Sequence, residues 1–222
     1  MSKNQIKIYY IYILFCFIFI LLTTEYLSLE DIIYVAKQTD VISYTQLAKV
    51  APSLPVDSDV IIKHVAQRFL IPYLIGLTSN FLNIELYTTF KIFTFIFIIF
   101  YIYIINYIRK KLSFNFLNSI LFFSILFLNP YIVRNHLFQP VQAHDILFFS
   151  MGLVFAFTII KRNYFLNILT TIFCVFLRQT SIAMFLASSI FLTLNKKFKN
   201  FFVLIIFYTL LFLLIINIGN SI

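Results

Sequence analysis

Eight carboxylates, several guanidiniums and three imidazoles stand out against a background that is almost entirely apolar. Of the eight acidic residues, six fall between positions 25 and 59: Glu25, Glu30, Asp31, Asp40, Asp57 and Asp59. The other two are Glu85 and Asp145, and the basic or titratable residues His64, Arg68, Arg134, His136, His144 and Arg178 lie in the same kinds of breaks between apolar runs. Asp40 and Tyr44 are four apart, so a helix would place them on one face. Pro72 follows Arg68 at a spacing that suits a helix beginning there, with Arg68 at its entrance. Carboxylates, imidazoles and guanidiniums gathered at a membrane face are what a reaction on an anionic, lipid-linked substrate would need. Asp57-Ser58-Asp59 spells an acid-x-acid pair that could hold a divalent cation, though a hydrated turn or helix cap explains it as well. His144-Asp145 reads equally as a helix start, with the acid favourable to the dipole.

Other chemistries are excluded by what is missing. Three glycines, Gly76, Gly152 and Gly219, cannot make a phosphate-cradling loop, and no nucleophile elbow or zinc signature is present. The two cysteines, Cys16 and Cys174, sit inside apolar runs without metal-ligand spacing. No cofactor is certain from the sequence, a divalent cation at Asp57 and Asp59 being the one candidate.

The elements that must carry these residues follow from composition. Over 222 residues, 62% are hydrophobic and 11% charged, against roughly 45–50% and about 25% in soluble globular chains. So much apolar surface cannot be hidden from water, and disorder requires the opposite composition. The sequence predicts an integral membrane protein, its partner the lipid bilayer. The net charge of +9 falls in small clusters between apolar runs, which is how topology is set and not how nucleic acid is gripped.

A spanning helix needs about 20 apolar residues. Seven runs approach that length, at 6–23, 88–108, 114–133, 145–160, 164–177, 181–194 and 201–218. With the N-terminus cytoplasmic and 69–81 re-entering, the clusters Lys3/Lys7, Arg109–Lys111, Lys161/Arg162 and Lys196–Lys199 all face the cytoplasm. If 69–81 crossed, three of the four would lie outside. Read as one helix, 164–194 would be about 47 Å long, too long for a core of about 30 Å, so a tight hairpin at Arg178-Gln179-Thr180 is expected. The expected fold is an all-α, polytopic helix bundle of about seven spans. It forms a single transmembrane domain over 1–222, with an outer loop at 24–87 bearing juxtamembrane or re-entrant helices.

The order of these features resembles the GT-C superfamily of membrane glycosyltransferases: a short cytoplasmic tail, one span, a long outer loop with an early acid, then Arg68-Phe-Leu-Ile-Pro72-Tyr-Leu and many spans. Leu177-Arg178-Gln179-Thr180-Ser181-Ile182 is similar to an Arg-Gln-Thr-Asn element of the alpha-1,2-glucosyltransferase branch, and His144-Asp145 to its polar-Asp span entry. Such enzymes are usually about twice this length. The resemblance implies a sugar moved from a polyprenyl-phosphate donor to a lipid-linked or surface glycan acceptor, at the outer face of a bacterial inner membrane. It implies Asp40 as the general base, because a carboxylate can take the proton of an attacking hydroxyl. Arg68 and Arg178 would stabilise the leaving phosphate, with Tyr44, His64, His144, Asp145 and Gln179 beside the substrate. The competing expectation is a transporter or an accessory subunit of envelope polysaccharide assembly. A transporter gathers polar groups near the bilayer midplane on broken helices, whereas the runs at 88–108 and 201–218 are almost free of ionisable groups.

Overall fold

The computed structural model describes residues 1–24, 40–53 and 68–221, and over these the chain is helix and turn without a strand. The first helix, α1, runs Lys3–Thr23. Its start is fixed by a reciprocal cap in which Ser2 Oγ accepts from Gln5 N at 3.3 Å and Ser2 N donates to Gln5 Oε1 at 2.9 Å. Then come α2 (Asp40–Val50), α3 (Leu70–Leu82) and α4 (Leu86–Lys111). The Glu85 carboxylate caps α4 by accepting from Tyr87 N and Thr88 N at 3.0 and 2.8 Å. Its hydrogen bond with the Thr88 side chain, chiefly, lowers the carboxyl pKa below the ordinary value.

One predicted element is broken. The apolar run at 114–133 was expected to be one helix, but α5 (Phe116–Phe127) stops short of Asn129-Pro130. Proline has no N–H for the helix ladder, and the Asn129 side chain instead accepts from Tyr131 N at 3.0 Å. A π-turn over Pro130–Arg134, the short α6 (Asn135–Phe138) and a 3₁₀ turn over Pro140–Gln142 complete the detour. The remaining helices are α7 (His144–Ile160), α8 (Tyr164–Val175), α9 (Ser181–Leu194) and α10 (Phe198–Ser221).

Among the described residues, four stretches are long and apolar enough to cross a membrane: Lys3–Thr23, Leu86–Lys111, Pro140–Ile160 and Phe198–Ile218. The pair Phe116–Phe127 and Pro130–Phe138, bent by 40°, makes a fifth if it counts as one span. Against the expected seven, the difference lies in α8 and α9. At 12 and 14 residues they are about 18 and 21 Å long, short of a core of about 30 Å. They are separated at the predicted turn, Arg178-Gln179-Thr180.

The helices are joined as buried polar groups in an apolar medium require. Asn167 on α8 donates to Thr158 Oγ1 of α7 at 3.0 Å and accepts from Ser188 of α9, stapling three helices. Tyr12 of α1 and Ser124 of α5 share a 2.7 Å hydrogen bond. Around it the fully buried rings of Tyr9, Tyr101, Phe123 and Phe127 fill the interface of α1, α4 and α5. α2 is held on α3 by three contacts. Asn80 donates to Ala51 O at 2.5 Å, Tyr73 donates to Pro52 O at 2.6 Å, and Gly76 passes so close that a Cβ there would overlap the Ala48 carbonyl.

The basic clusters share one end of the bundle. Arg109 meets Met1 at 3.0 Å, the Tyr107 and Phe157 rings touch at 5.8 Å, Lys161 lies over Phe157, and Lys197 stands 5.1 Å over Tyr164. At the other end, Arg134 donates to Thr23 O at 3.1 Å.

Candidate functional site

The end opposite the basic clusters collects the residues that the sequence singled out. Asp40 opens α2 and Tyr44 follows one turn later, so both present to the same partner. Arg68 Nη1 donates to Tyr44 Oη at 3.0 Å and stands 3.6 Å from Asp40 Oδ2. Arg68 sits at the turn leading into α3, and Pro72 lies in the first turn of that helix, where its missing N–H costs nothing. The contacts between α2 and α3 thus set the Asp40–Arg68 pair.

Tyr44 bridges to a second group. Its ring meets the edge of the His144 ring at 4.5 Å between centroids, and α2 packs on the 3₁₀ turn just before α7. That turn is tied to α4 through Thr94 Oγ1, which donates to Pro140 O at 3.3 Å. His144 and Asp145 begin α7, with His144 Nε2 3.7 Å from Asp145 Oδ1. The same carboxylate receives two further groups: Arg178 Nε lies 3.4 Å from Oδ1, and His136 Nε2 lies 3.8 Å from Oδ2. Arg178 comes from the turn between α8 and α9, its N–H bonded to Cys174 O at 3.0 Å, and its guanidinium lies 5.9 Å over the Phe148 ring. Gln179 is next to it in that turn.

Two carboxylates, two guanidiniums and two imidazoles from five separate stretches of chain therefore form one linked cluster. The Tyr44 phenol registers the linkage. Burial pushes its pKa from 10.0 up to about 12, Arg68 opposes that, and Asp40 and Asp145 both add to it. Several atoms in the cluster are buried with no hydrogen-bond partner in the described protein: Arg68 Nε, His136 Nε2, both His144 nitrogens, Asp145 Oδ1 and Arg178 Nε. Native interiors leave few such groups, and here they concentrate in one place. Asp40 is the more open acid, its side chain 31% exposed against 13% for Asp145. It can accept a proton from a hydroxyl, while the guanidiniums can meet anionic oxygens.

Asp40, Tyr44, Arg68, His144, Asp145 and Arg178 are brought together. His64, Asp57 and Asp59 lie outside the described residues. Among the described residues no three His, Cys, Asp or Glu side chains are grouped to hold a metal ion. His136 was assigned no role from sequence, although it belongs to the cluster. Its signal was Pro140, a reversal between two apolar runs that folds position 136 back onto 145. The π-turn orients the ring through a contact between His136 Nδ1 and the Ile132 carbonyl, leaving Nε2 toward Asp145. Comparison of the chain with protein-family models, with curated proteins and with solved structures gives no match.

Proposed function

We propose that this chain is a GT-C-like membrane glycosyltransferase that moves a sugar from a polyprenyl-phosphate donor to a lipid-linked or cell-surface glycan acceptor. The observation that carries the reading is the convergence of Asp40, Arg68, Asp145 and Arg178 at the end of the bundle opposite the basic clusters. In this reading the basic clusters face the cytoplasm, α8 and α9 complete a seven-pass bundle as a short hairpin, and the cluster faces the outer side of a bacterial inner membrane. Asp40 takes the proton of the acceptor hydroxyl, whose oxygen bonds to the anomeric carbon as the carbon–oxygen bond to phosphate breaks. The leaving polyprenyl phosphate carries the developing charge, which Arg68 and Arg178 meet in a water-poor setting. Tyr44, His64, His144, Asp145 and Gln179 line the substrate. Polar groups gathered at one end, instead of at mid-height on broken helices, favour this reading over a transporter.

The test is transfer of radiolabelled sugar from polyprenyl-phosphate hexose or pentose in membranes bearing the protein. Asp40→Asn should abolish transfer with insertion unchanged, and Arg178→Ala should raise the donor KM. Full activity in Asp40→Asn would remove the base and, with it, the mechanism.

A further inference from the structure

The opposite end of the bundle holds a second, chemically different feature that is independent of the reading above. The last turn of α4 carries Arg109, Lys110 and Lys111. Lys110 and Lys111 are exposed, as residues that only orient a helix in a membrane would be, but Arg109 is 5% exposed. Its Nη1 donates to Met1 Sδ at 3.0 Å, a weak acceptor, its Cζ lies 4.6 Å from the Tyr9 ring, and its Nε has no partner. The hydroxyl of Tyr9 against which it stacks is also buried and unpartnered.

No carboxylate of the described residues answers this charge. Asp40 and Asp145 belong to the far cluster, and Glu85 caps the other end of α4. The carbonyls of the α4 terminus are already engaged, with Ile108, Lys110 and Arg109 accepting from Leu112, Ser113 and Phe114 at 2.9, 3.2 and 3.2 Å. Burying a guanidinium with no counter-ion and only a thioether as acceptor is costly, and a group carrying negative oxygen is what would satisfy it. Arg109 and Lys110 line a groove of about 490 Å³ between the start of α1 and the end of α4. A second groove of about 300 Å³ adjoins it, sharing Tyr10 and Lys110 and adding Tyr103, Tyr107 and Asn106. Tyrosines beside cations at a helix end are the pattern of the headgroup layer.

We propose that this groove binds the phosphate of an anionic glycerophospholipid from the adjoining leaflet, with Arg109 as the ligand in the pocket and Lys110 at its rim. Charge complementarity selects the occupant, since basic pockets facing anionic headgroups gain affinity with each cation. The position at a membrane-crossing helix end selects lipid over a soluble anion.

The experiment extracts the protein from vesicles of equal phosphatidylglycerol and phosphatidylcholine and weighs retained lipid by native mass spectrometry. Wild type should retain phosphatidylglycerol about fivefold over phosphatidylcholine, Lys110→Gln should lower that ratio in part, and Arg109→Gln should bring it near one. Arg109→Lys, which keeps the charge without the fork, should fall between, so a fold defect in Arg109→Gln is distinguished by circular dichroism and by this variant. Equal retention of both lipids by wild type, or enrichment undiminished in well-folded Arg109→Gln, would overturn the proposal. So would displacement of the retained lipid by millimolar inorganic phosphate, which would make the site one for a soluble anion.

Discussion

Arg178 Nε lies 3.4 Å from Asp145 Oδ1, and neither atom has a hydrogen bond in the described protein. The contact fastens the turn between α8 and α9 to the start of α7, so it decides whether the second half of the chain presents its guanidinium to the cluster. Breaking a fully buried ion pair from one side costs about 3–5 kcal/mol. The Arg178 side chain is 29% exposed, and water screens it. Arg178→Gln and Asp145→Asn should therefore each cost about 2 kcal/mol, with the double variant about 1–2 kcal/mol less destabilised than the sum. Reversible denaturant unfolding in detergent measures the cycle, and strictly additive costs would show that the two side chains do not interact.

One of the contacts that support Asp40 and Tyr44 admits only a glycine. A Cβ at Gly76 would overlap the Ala48 carbonyl, and backbone cannot yield as a side chain tip can. Gly76→Ala should destabilise the protein by about 1–3 kcal/mol, the range of overpacked interiors, and should disturb the Asp40–Arg68 pair along with it. Gly152 supplies the control, because a Cβ there would meet only the Met184 side-chain tip at an ordinary 3.5 Å. Thermal unfolding of Gly76→Ala beside Gly152→Ala checks the contrast, and equal melting temperatures would mean that α2 and α3 part without cost.

Much of this was legible in the chain itself, and for identifiable reasons. Uninterrupted apolar length announces α1, α4, α7 and α10, because in lipid the helix must satisfy every backbone group and nothing competes with it. Arg68 before Pro72 and Asp40 before Tyr44 were readable since both depend on spacing within one turn. The break at Asn129-Pro130 is hidden because the flanking residues are as apolar as a span, and hydropathy does not register a lost N–H. The pairing of His136 with Asp145 is not legible for a related reason: it comes from a reversal at Pro140, and a reversal has no period. The burial of Arg109 was not visible either. Three adjacent cations in sequence look alike, and only the packing of Tyr9 against the end of α4 separates the first from the other two.

The Tyr44 phenol should give the cluster a signature in alkaline solution. Burial holds its pKa up at about 12 against an ordinary 10.0, so the folded state keeps the proton more tightly than the unfolded chain. A raised pKa contributes stability that is complete below pH 10 and is lost as pH climbs toward 12. Two pKa units correspond to about 2–3 kcal/mol. Tyr44→Phe removes the titrating group together with the hydrogen bond from Arg68 Nη1, worth about 1 kcal/mol. At pH 8 the variant should therefore be less stable than wild type. Between pH 10 and 12 the difference should shrink and then reverse, because wild type alone must release the Tyr44 proton. Unfolding free energies of the two proteins measured across that window test it, and curves that stay parallel would show that Tyr44 is not held neutral by its surroundings.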